Sequence, residues 1–216
     1  MGSCEVASKD VVVVTGFGSF GVHTINASTE AVKLLPTLDI ENELNIKLVT
    51  IKEVPVVYDY VQNNIPELWK TYKPKLMIHV GVSGYANEIN LERQAFNSNY
   101  CSPDINGCVP EKSTCVADSH HQCLASSIDM AKVCESINTS TCGVASCVSD
   151  DPGRYLCEFI YYTSLNVDRT RTAFIHVPVL DKPYTALQLA QALKVSIAAM
   201  LEQVRENDRA TSTNTL

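Results

Sequence analysis

Apolar runs alternate with amphipathic stretches along the chain, and this alternation predicts strands separated by helices. The runs that predict buried strands are rich in Val, Ile and Leu and end close to Gly, Ser or Pro. The longest amphipathic stretch predicts a C-terminal helix, and Pro66 is expected to bend or break an earlier one. Predicted strands are 11–14, 46–51, 76–82, 89–96, 144–148 and 174–177; predicted helices are about 28–35, 57–68, a segment around 157, and 186–204.

This order of elements predicts an α/β protein. We expect a three-layer α/β/α sandwich, in which helices flank a twisted, mainly parallel central sheet. The sequence has neither internal repeats nor a linker, so residues 1–216 are expected to form one domain with a frayed polar tail from about residue 206.

Composition narrows the class of protein. The chain has 45% hydrophobic and 19% charged residues, which is typical of a globular enzyme. Its formal net charge of −7 argues against nucleic acid or an anionic membrane as a partner. The N-terminus lacks a secretory pattern, and the nine cysteines are an odd number, so we expect reduced thiols and a cytoplasmic location.

Cys157 and His176 are candidates for nucleophilic chemistry. Cys157 follows a turn at 150–153 that has helix-start character, and the first turn of a helix favours a thiolate. His176 ends an apolar strand, where it is well placed to act as a base. Either residue alone is more often core filler, so the pair needs a third group to orient the imidazole. Glu92 sits half-buried in a strand-like run and needs a partner, for which an imidazolium is suitable.

A glycine motif offers a different interpretation. Gly16, Gly18 and Gly21 fit the letters G-x-G-x-x-G directly after a strand, which would make the chain a nucleotide-binding oxidoreductase. The next helix is expected only near residue 28, so the third glycine would not pack inside it. A glycine-rich turn that lets the backbone approach a ligand fits better, with Phe17 and Phe20 flanking a small flat ligand.

The segment that follows is rich in potential metal ligands but lacks their usual spacing. It contains no C-x-x-C pair, whereas structural zinc sites usually have tight pairs. We therefore expect a long loop with reduced cysteines and no metal. The residues concerned are Cys101, Cys108, Cys115, Cys123, His120 and His121.

Three segments together resemble the pyroglutamyl-peptidase I (pyrrolidone-carboxyl peptidase) family of cysteine peptidases, most closely its animal members. The first is Val-Thr-Gly-Phe-Gly-Ser-Phe-Gly (14–21), followed by Asn26. The second is His-Val-Gly-Val-Ser-Gly (79–84), leading to Leu-Glu-Arg-Gln-Ala-Phe-Asn (91–97). The third is Ser-Asp-Asp-Pro-Gly-Arg-Tyr-Leu-Cys (149–157) with Phe-Ile-His-Val-Pro (174–178). The likeness covers almost the whole chain in order.

The resemblance implies roles for individual residues. Cys157 would be the nucleophile, His176 the base and then the acid, and Glu92 the residue that orients His176. The residues implied to line the substrate pocket are Phe17, Phe20, Asn26, Tyr155 and Leu156. The chain departs from many bacterial members at Val82, at Tyr155 and in the cysteine-rich segment 98–119.

The same resemblance implies a reaction and its partners. The chain would hydrolyse the amide bond after an N-terminal pyroglutamyl residue through a thioester, with no metal or organic cofactor. Its partners would be peptides with N-terminal pyroglutamate, and neither nucleic acid nor a membrane; monomer and homo-oligomer both stay open. A non-catalytic binder of such peptides is an alternative from another class.

Overall fold

The structure, a computed structural model, describes residues 9–21, 25–117 and 119–213. Its strands are β1 (Asp10–Phe17), β2 (Ile46–Val54), β3 (Leu76–Ser83), β4 (Ile89–Glu92), β5 (Gln94–Phe96), β6 (Cys123–Ala125), β7 (Ser146–Ser149) and β8 (Thr172–Pro178). Its α-helices are α1 (Ala27–Leu34), α2 (Ile40–Glu43), α3 (Tyr58–Tyr72), α4 (Met130–Thr139), α5 (Leu156–Asp168) and α6 (Ala186–Thr213). Short 3₁₀ turns lie at Leu35–Leu38 and Glu111–Ser113.

The central sheet has six strands in the order β2-β1-β3-β8-β4-β7. The first four pair in parallel, while β4 pairs antiparallel with β8 and parallel with β7. Two strands at one end of the sheet therefore run against the rest. β5 and β6 form a separate antiparallel pair. The prediction of a mainly parallel sheet is confirmed.

Helices cover both faces of this sheet. Alternate residues of β1 face opposite layers: Val12 belongs to the core that includes residues of α1, α4 and α6, whereas Val13 belongs to the core that includes residues of α3 and α5. Strands that are buried on both faces consist of continuous apolar runs, and this is why the sequence predicts β1, β3 and β8. The arrangement is the three-layer α/β/α sandwich that the sequence predicts.

Two helices run further than the sequence pattern indicates. Pro66 was expected to bend or break this helix; α3 contains Pro66 in its interior and continues to Tyr72, so a break at this position is wrong. Ile65 and Trp69 on that helix are buried against the sheet, and this packing offsets the lost hydrogen bond. α6 continues to Thr213, past the point where fraying was expected, and Asp208 pairs there with Lys75 and Arg171.

The predicted strand 89–96 is divided between two sheets. β4 ends at Glu92, and Arg93 forms backbone hydrogen bonds with Ser149 and Ser126 before β5 begins. The helix α4 was not predicted, although its signals are present: Asp129 caps it by accepting from the Ala131 and Lys132 N–H groups. Within the described residues, no helix has the length and apolarity needed to cross a membrane.

Candidate active site

Cys157 occupies the first turn of α5, as predicted. Tyr155 is the N-cap and gives the helix no side-chain hydrogen bond, so the cap side chain does not occupy the first-turn N–H groups. The turn before it is tightened by Asp151, whose Oδ1 accepts from the Gly153 N–H at 3.1 Å, and Gly153 has a φ of +78°. The sulfur lies directly over β3, because a Cβ added at Gly81 would be only 2.7 Å from Cys157 Sγ.

His176 lies beside this sulfur on the neighbouring strand β8. Gly81 and His176 are register partners of β3 and β8. The Nδ1 atom of His176 is 2.8 Å from Oε1 of Glu92, and Cys157 lies close enough to His176 to raise the pKa of the ring. The structure thus brings together the three residues predicted as nucleophile, base and orienting carboxylate, which are far apart in the sequence.

The imidazole of His176 is held in its charged form. Burial alone would lower the pKa of His176, but the charge of Cys157, its hydrogen bond and the neighbouring Glu92 outweigh burial and raise this pKa to about 9. At neutral pH the ring is therefore an imidazolium between a sulfur and a carboxylate. Such a ring can stabilise a thiolate and afterwards donate a proton.

Glu92 is a buried carboxylate with few partners. Its side chain is 1% exposed, and its backbone carbonyl accepts from the Tyr161 hydroxyl at 2.8 Å. Among the described residues, Oε2 of Glu92 has no hydrogen-bond partner. An ionised carboxylate in this position depends on the adjacent imidazolium for its stability.

A buried polar network ties the far part of α5 to the sheet. Ser164 Oγ is 2.7 Å from His79 Nε2 and accepts from Trp69 Nε1 at 3.1 Å. The other ring nitrogen of His79 is 2.7 Å from Thr15 Oγ1. Burial lowers the pKa of His79 to about 3, so this ring is neutral and acts as a hydrogen-bonding bridge.

A narrow, mostly apolar cavity of about 10 Å³ adjoins the sulfur of Cys157. All five residues that the sequence analysis assigned to the substrate pocket lie in its wall. Phe17 and Leu156 are almost completely buried, so they define its shape more than its opening. The lining residues are Phe17, Phe20, Asn26, Val56, Val82, Tyr155, Leu156 and Cys157.

Asn26 is largely committed to the protein itself. Its Oδ1 accepts from the N–H and the hydroxyl of Ser28, and its Nδ2 donates to the carbonyl of Gly18 at 2.9 Å. Asn26 thereby caps α1 and fixes the glycine-rich turn. Helix α1 begins at Ala27, well after Gly21, so the third glycine does not open a helix as a dinucleotide-binding motif requires.

Several residues of the site were not predicted. Gly81 carried a usable signal, because a glycine inside an apolar strand marks a close approach of another group. Val56 follows the carboxyl end of β2, where ligands of parallel sheets bind, but its residue type gives no hint of a role. The burial of Glu158, the residue after Cys157, was not predicted either.

The cysteine-rich segment was expected to be a loop with reduced thiols. The cysteines in the described part of the chain are all free, and no group of three or more potential metal ligands occurs there. Cys115 is buried, and this burial raises the pKa of its thiol to about 12. Asn97 holds the loop by accepting from the N–H groups of Cys115 and Val116.

The fold and the Cys–His–Glu arrangement define a cysteine-type hydrolase of the α/β class. The sequence profile of the family described as pyroglutamyl peptidase matches residues 10–207. The chain belongs to the pyroglutamyl peptidase family, as its motifs predict.

Relatives and solved structures agree with this assignment. The chain is 42% identical to pyroglutamyl-peptidase 1 of Homo sapiens over 200 residues, which cover 93% of this chain and 94% of the human protein. It is 45% identical to pyroglutamyl-peptidase 1 of Mus musculus over 193 residues, covering 89% and 90% of the two chains. The crystal structure of Bacillus amyloliquefaciens pyroglutamyl peptidase I superposes with a TM-score of 0.79 at 25% identity, covering 90% and 98%. These likenesses favour a peptidase over the nucleotide-binding alternative.

Proposed function

We propose that the chain hydrolyses the amide bond that follows an N-terminal pyroglutamyl residue and so releases pyroglutamate from peptides. Its family, and relatives named pyroglutamyl-peptidase 1, support this activity. The observation that carries the proposal is the position of the Cys157 sulfur: it adjoins an apolar cavity and lies over Gly81, the register partner of His176.

The apolar lining of the cavity suits a closed lactam better than a charged N-terminus. A pyroglutamyl residue has no ammonium group, so recognition has to use its flat ring and its amide edges. Phe17 and Phe20 supply apolar walls, and backbone groups of the lining segments can pair with the lactam. An uncyclised glutamate would bring two charges into this cavity, at a cost of several kcal/mol. That difference accounts for the specificity.

Cys157 acts as the nucleophile in two chemical steps. Its thiolate attacks the carbonyl carbon of the pyroglutamyl residue, and the oxyanion is held by N–H groups of the first turn of α5, each contributing about 3–4 kcal/mol. His176 then protonates the leaving amine, the C–N bond breaks and a thioester forms. A water deprotonated by His176 attacks the thioester, which releases pyroglutamate and regenerates the thiolate–imidazolium pair.

Glu92 serves this cycle by orienting the ring. Its Oε1 contacts Nδ1 of His176, which directs Nε2 toward the sulfur. The carboxylate also stabilises the imidazolium that the first step uses. A carboxylate in this role need not change its own protonation state.

Substitution of Cys157 tests the proposal. Cys157→Ala should abolish release of a fluorogenic amine from a pyroglutamyl amide while the thermal unfolding midpoint stays near that of the wild type. Iodoacetamide should inactivate the wild type. Retained turnover in Cys157→Ala removes the mechanism. A folded wild type that binds the amide without cleaving it supports the non-catalytic binder, and a thermal shift with NAD instead supports the oxidoreductase.

We also propose a cytoplasmic location and a single catalytic domain. The free thiols among the described cysteines support a reducing compartment. Both helical layers pack against one sheet, which supports one domain. Fractionation of cells that express the protein tests the location; recovery from the secretory pathway would contradict it.

A further inference from the structure

A carboxylate beside the nucleophile is completely removed from water. Glu158 directly follows Cys157 in the first turn of α5 and is 0% exposed. Its Oε1 accepts from the Phe96 N–H at 3.0 Å. Nη1 of Arg154 donates to both of its carboxylate oxygens, at 2.9 and 3.0 Å, and the guanidinium lies 4.4 Å from the centre of the Phe96 ring.

Stability alone gives no reason for this pair. Burial raises the pKa of Glu158 to about 7 despite the neighbouring Arg154, so the desolvation of this carboxylate outweighs the attraction of its partner. The pair does, however, impose directions that an apolar contact would not. The carboxylate has to face both the Phe96 N–H and the guanidinium, which fixes the rotation of the first turn of α5 about its axis.

The pair connects the two parts of the site. Phe96 ends the short segment 92–96, and Glu92 at its start contacts His176. A second contact lies one turn further along α5, where the Tyr161 hydroxyl donates to the carbonyl of Glu92. Glu158 and Tyr161 are three residues apart and share a helix face. This face of α5 is therefore hydrogen-bonded to both ends of the segment 92–96, which carries the orienting carboxylate of Glu92.

We propose that Glu158 and Arg154 are a positioning pair that sets the place of the Cys157 sulfur relative to His176. The proposal rests on the function of Cys157 proposed above. Neither residue reaches the reacting atoms: their contacts lie on the side of α5 that faces Phe96, whereas the sulfur lies over Gly81. A displacement of about 1 Å between reacting groups can cost about 100-fold in rate.

Substitutions at Glu158 separate this role from a merely structural one. Glu158→Leu removes both contacts and should lower kcat about 100-fold while KM changes less than about 3-fold, because apolar walls such as Leu156 tolerate a small shift better than the alignment of sulfur and imidazole does. Glu158→Gln keeps an acceptor for the Phe96 N–H and should restore kcat to within about 10-fold of the wild type. Alkylation of the peptide that contains Cys157, followed by mass spectrometry, should slow in parallel with kcat.

The exposed ion pair between Arg93 and Asp150 provides a matched control, because it joins the segment 92–96 to the turn that precedes α5. Arg93 and Asp150 are hydrogen-bonded in bidentate fashion, but their side chains are 56% and 52% exposed. Asp150→Asn should therefore change kcat less than about 2-fold, since exposed ion pairs contribute little.

The outcomes decide between the proposals. A folded Glu158→Leu with wild-type kcat, or with a raised KM and unchanged kcat, overturns the positioning role. If Glu158→Leu fails to fold, Arg154→Met tests the same role, because Arg154 is 31% exposed and its loss leaves the carboxylate without a cation. A wild type that does not cleave the pyroglutamyl amide overturns the proposed function instead, whatever the Glu158 variants do.

Discussion

The closest contact in the site yields the sharpest prediction. A methyl group at Gly81 would lie 2.7 Å from Cys157 Sγ and 2.8 Å from Cζ of Phe174. Ordinary contacts begin at 3.4 Å, so Gly81→Ala falls short by 0.7 Å at the sulfur and by 0.6 Å at the ring. The ring has little room to yield, because its centroid is 4.8 Å from that of the His176 ring.

The methyl group therefore moves the sulfur, the imidazole or both. Since a misplacement of about 1 Å can cost about 100-fold, we expect a loss of about 10- to 100-fold in kcat for Gly81→Ala. Overpacking of this kind costs about 1–3 kcal/mol of stability, which lowers Tm by about 2–4 °C per kcal/mol in a chain of this size. The protein should remain folded at 25 °C.

The assay compares Gly81, inside β3, with Gly84, which directly follows that strand. Gly84→Ala places its methyl group where no atom lies within 4 Å, so it should retain kcat within about 2-fold. Both variants are measured with a fluorogenic pyroglutamyl amide and by thermal unfolding. A folded Gly81→Ala with the kcat of the wild type would refute the placement of the sulfur over β3.

Two further predictions follow from titration and from buried hydrogen bonds. The pKa of His176 is raised from its ordinary value of 6.5 to about 9, so the ring stays protonated at neutral pH and loses its proton only as the pH rises through about 9. We expect kcat to fall as the pH rises through about 9. Glu92→Gln removes one cause of the raised His176 pKa, so the alkaline limb of the pH–rate profile should lie at lower pH than in the wild type. Its loss of kcat should be milder than that of Cys157→Ala. An alkaline limb at the wild-type position would contradict the role of Glu92. Ser164→Ala leaves Nε2 of His79 and Nε1 of Trp69 without their buried partner, while Nδ1 of His79 keeps Thr15, so we expect a loss of about 1–3 kcal/mol per unpaired group in urea unfolding. Ser196→Ala is the control, because its hydroxyl donates to the carbonyl of Ala192 in its own helix. We expect this variant to lose under about 1 kcal/mol of the free energy of unfolding. Equal losses in Ser164→Ala and Ser196→Ala would contradict the role of the network.

The central strands were predictable because burial on both faces leaves a continuous apolar run. An apolar run of this kind also identified the strand that carries His176. The turn at 150–153 lies just before the helix that carries Cys157, but its Asp and Pro do not start that helix, because Tyr155 is the N-cap. These elements follow from local composition, which the sequence displays directly.

Features that depend on tertiary contacts could not be predicted from the sequence. The helix α3 survives Pro66 because its apolar face is buried, and local propensity does not report that burial. The division of 89–96 between two sheets depends on the partners of Arg93, which come from β7 and from the segment before α4. The sequence does not mark Glu158 as buried, because a pair with Arg154 four residues earlier is typical of an exposed helix face, and the Phe96 N–H that Glu158 accepts from comes from elsewhere in the fold.

The acyl-enzyme tests the central claim most directly. Pyroglutamyl p-nitrophenyl ester has a good leaving group, so acylation should outrun hydrolysis of the thioester and the intermediate should accumulate. Acid quenching followed by peptide mass spectrometry should find one added pyroglutamyl group on the peptide that contains Cys157, and no such adduct in Cys157→Ala. A burst of p-nitrophenol with the adduct on any other residue would contradict the account.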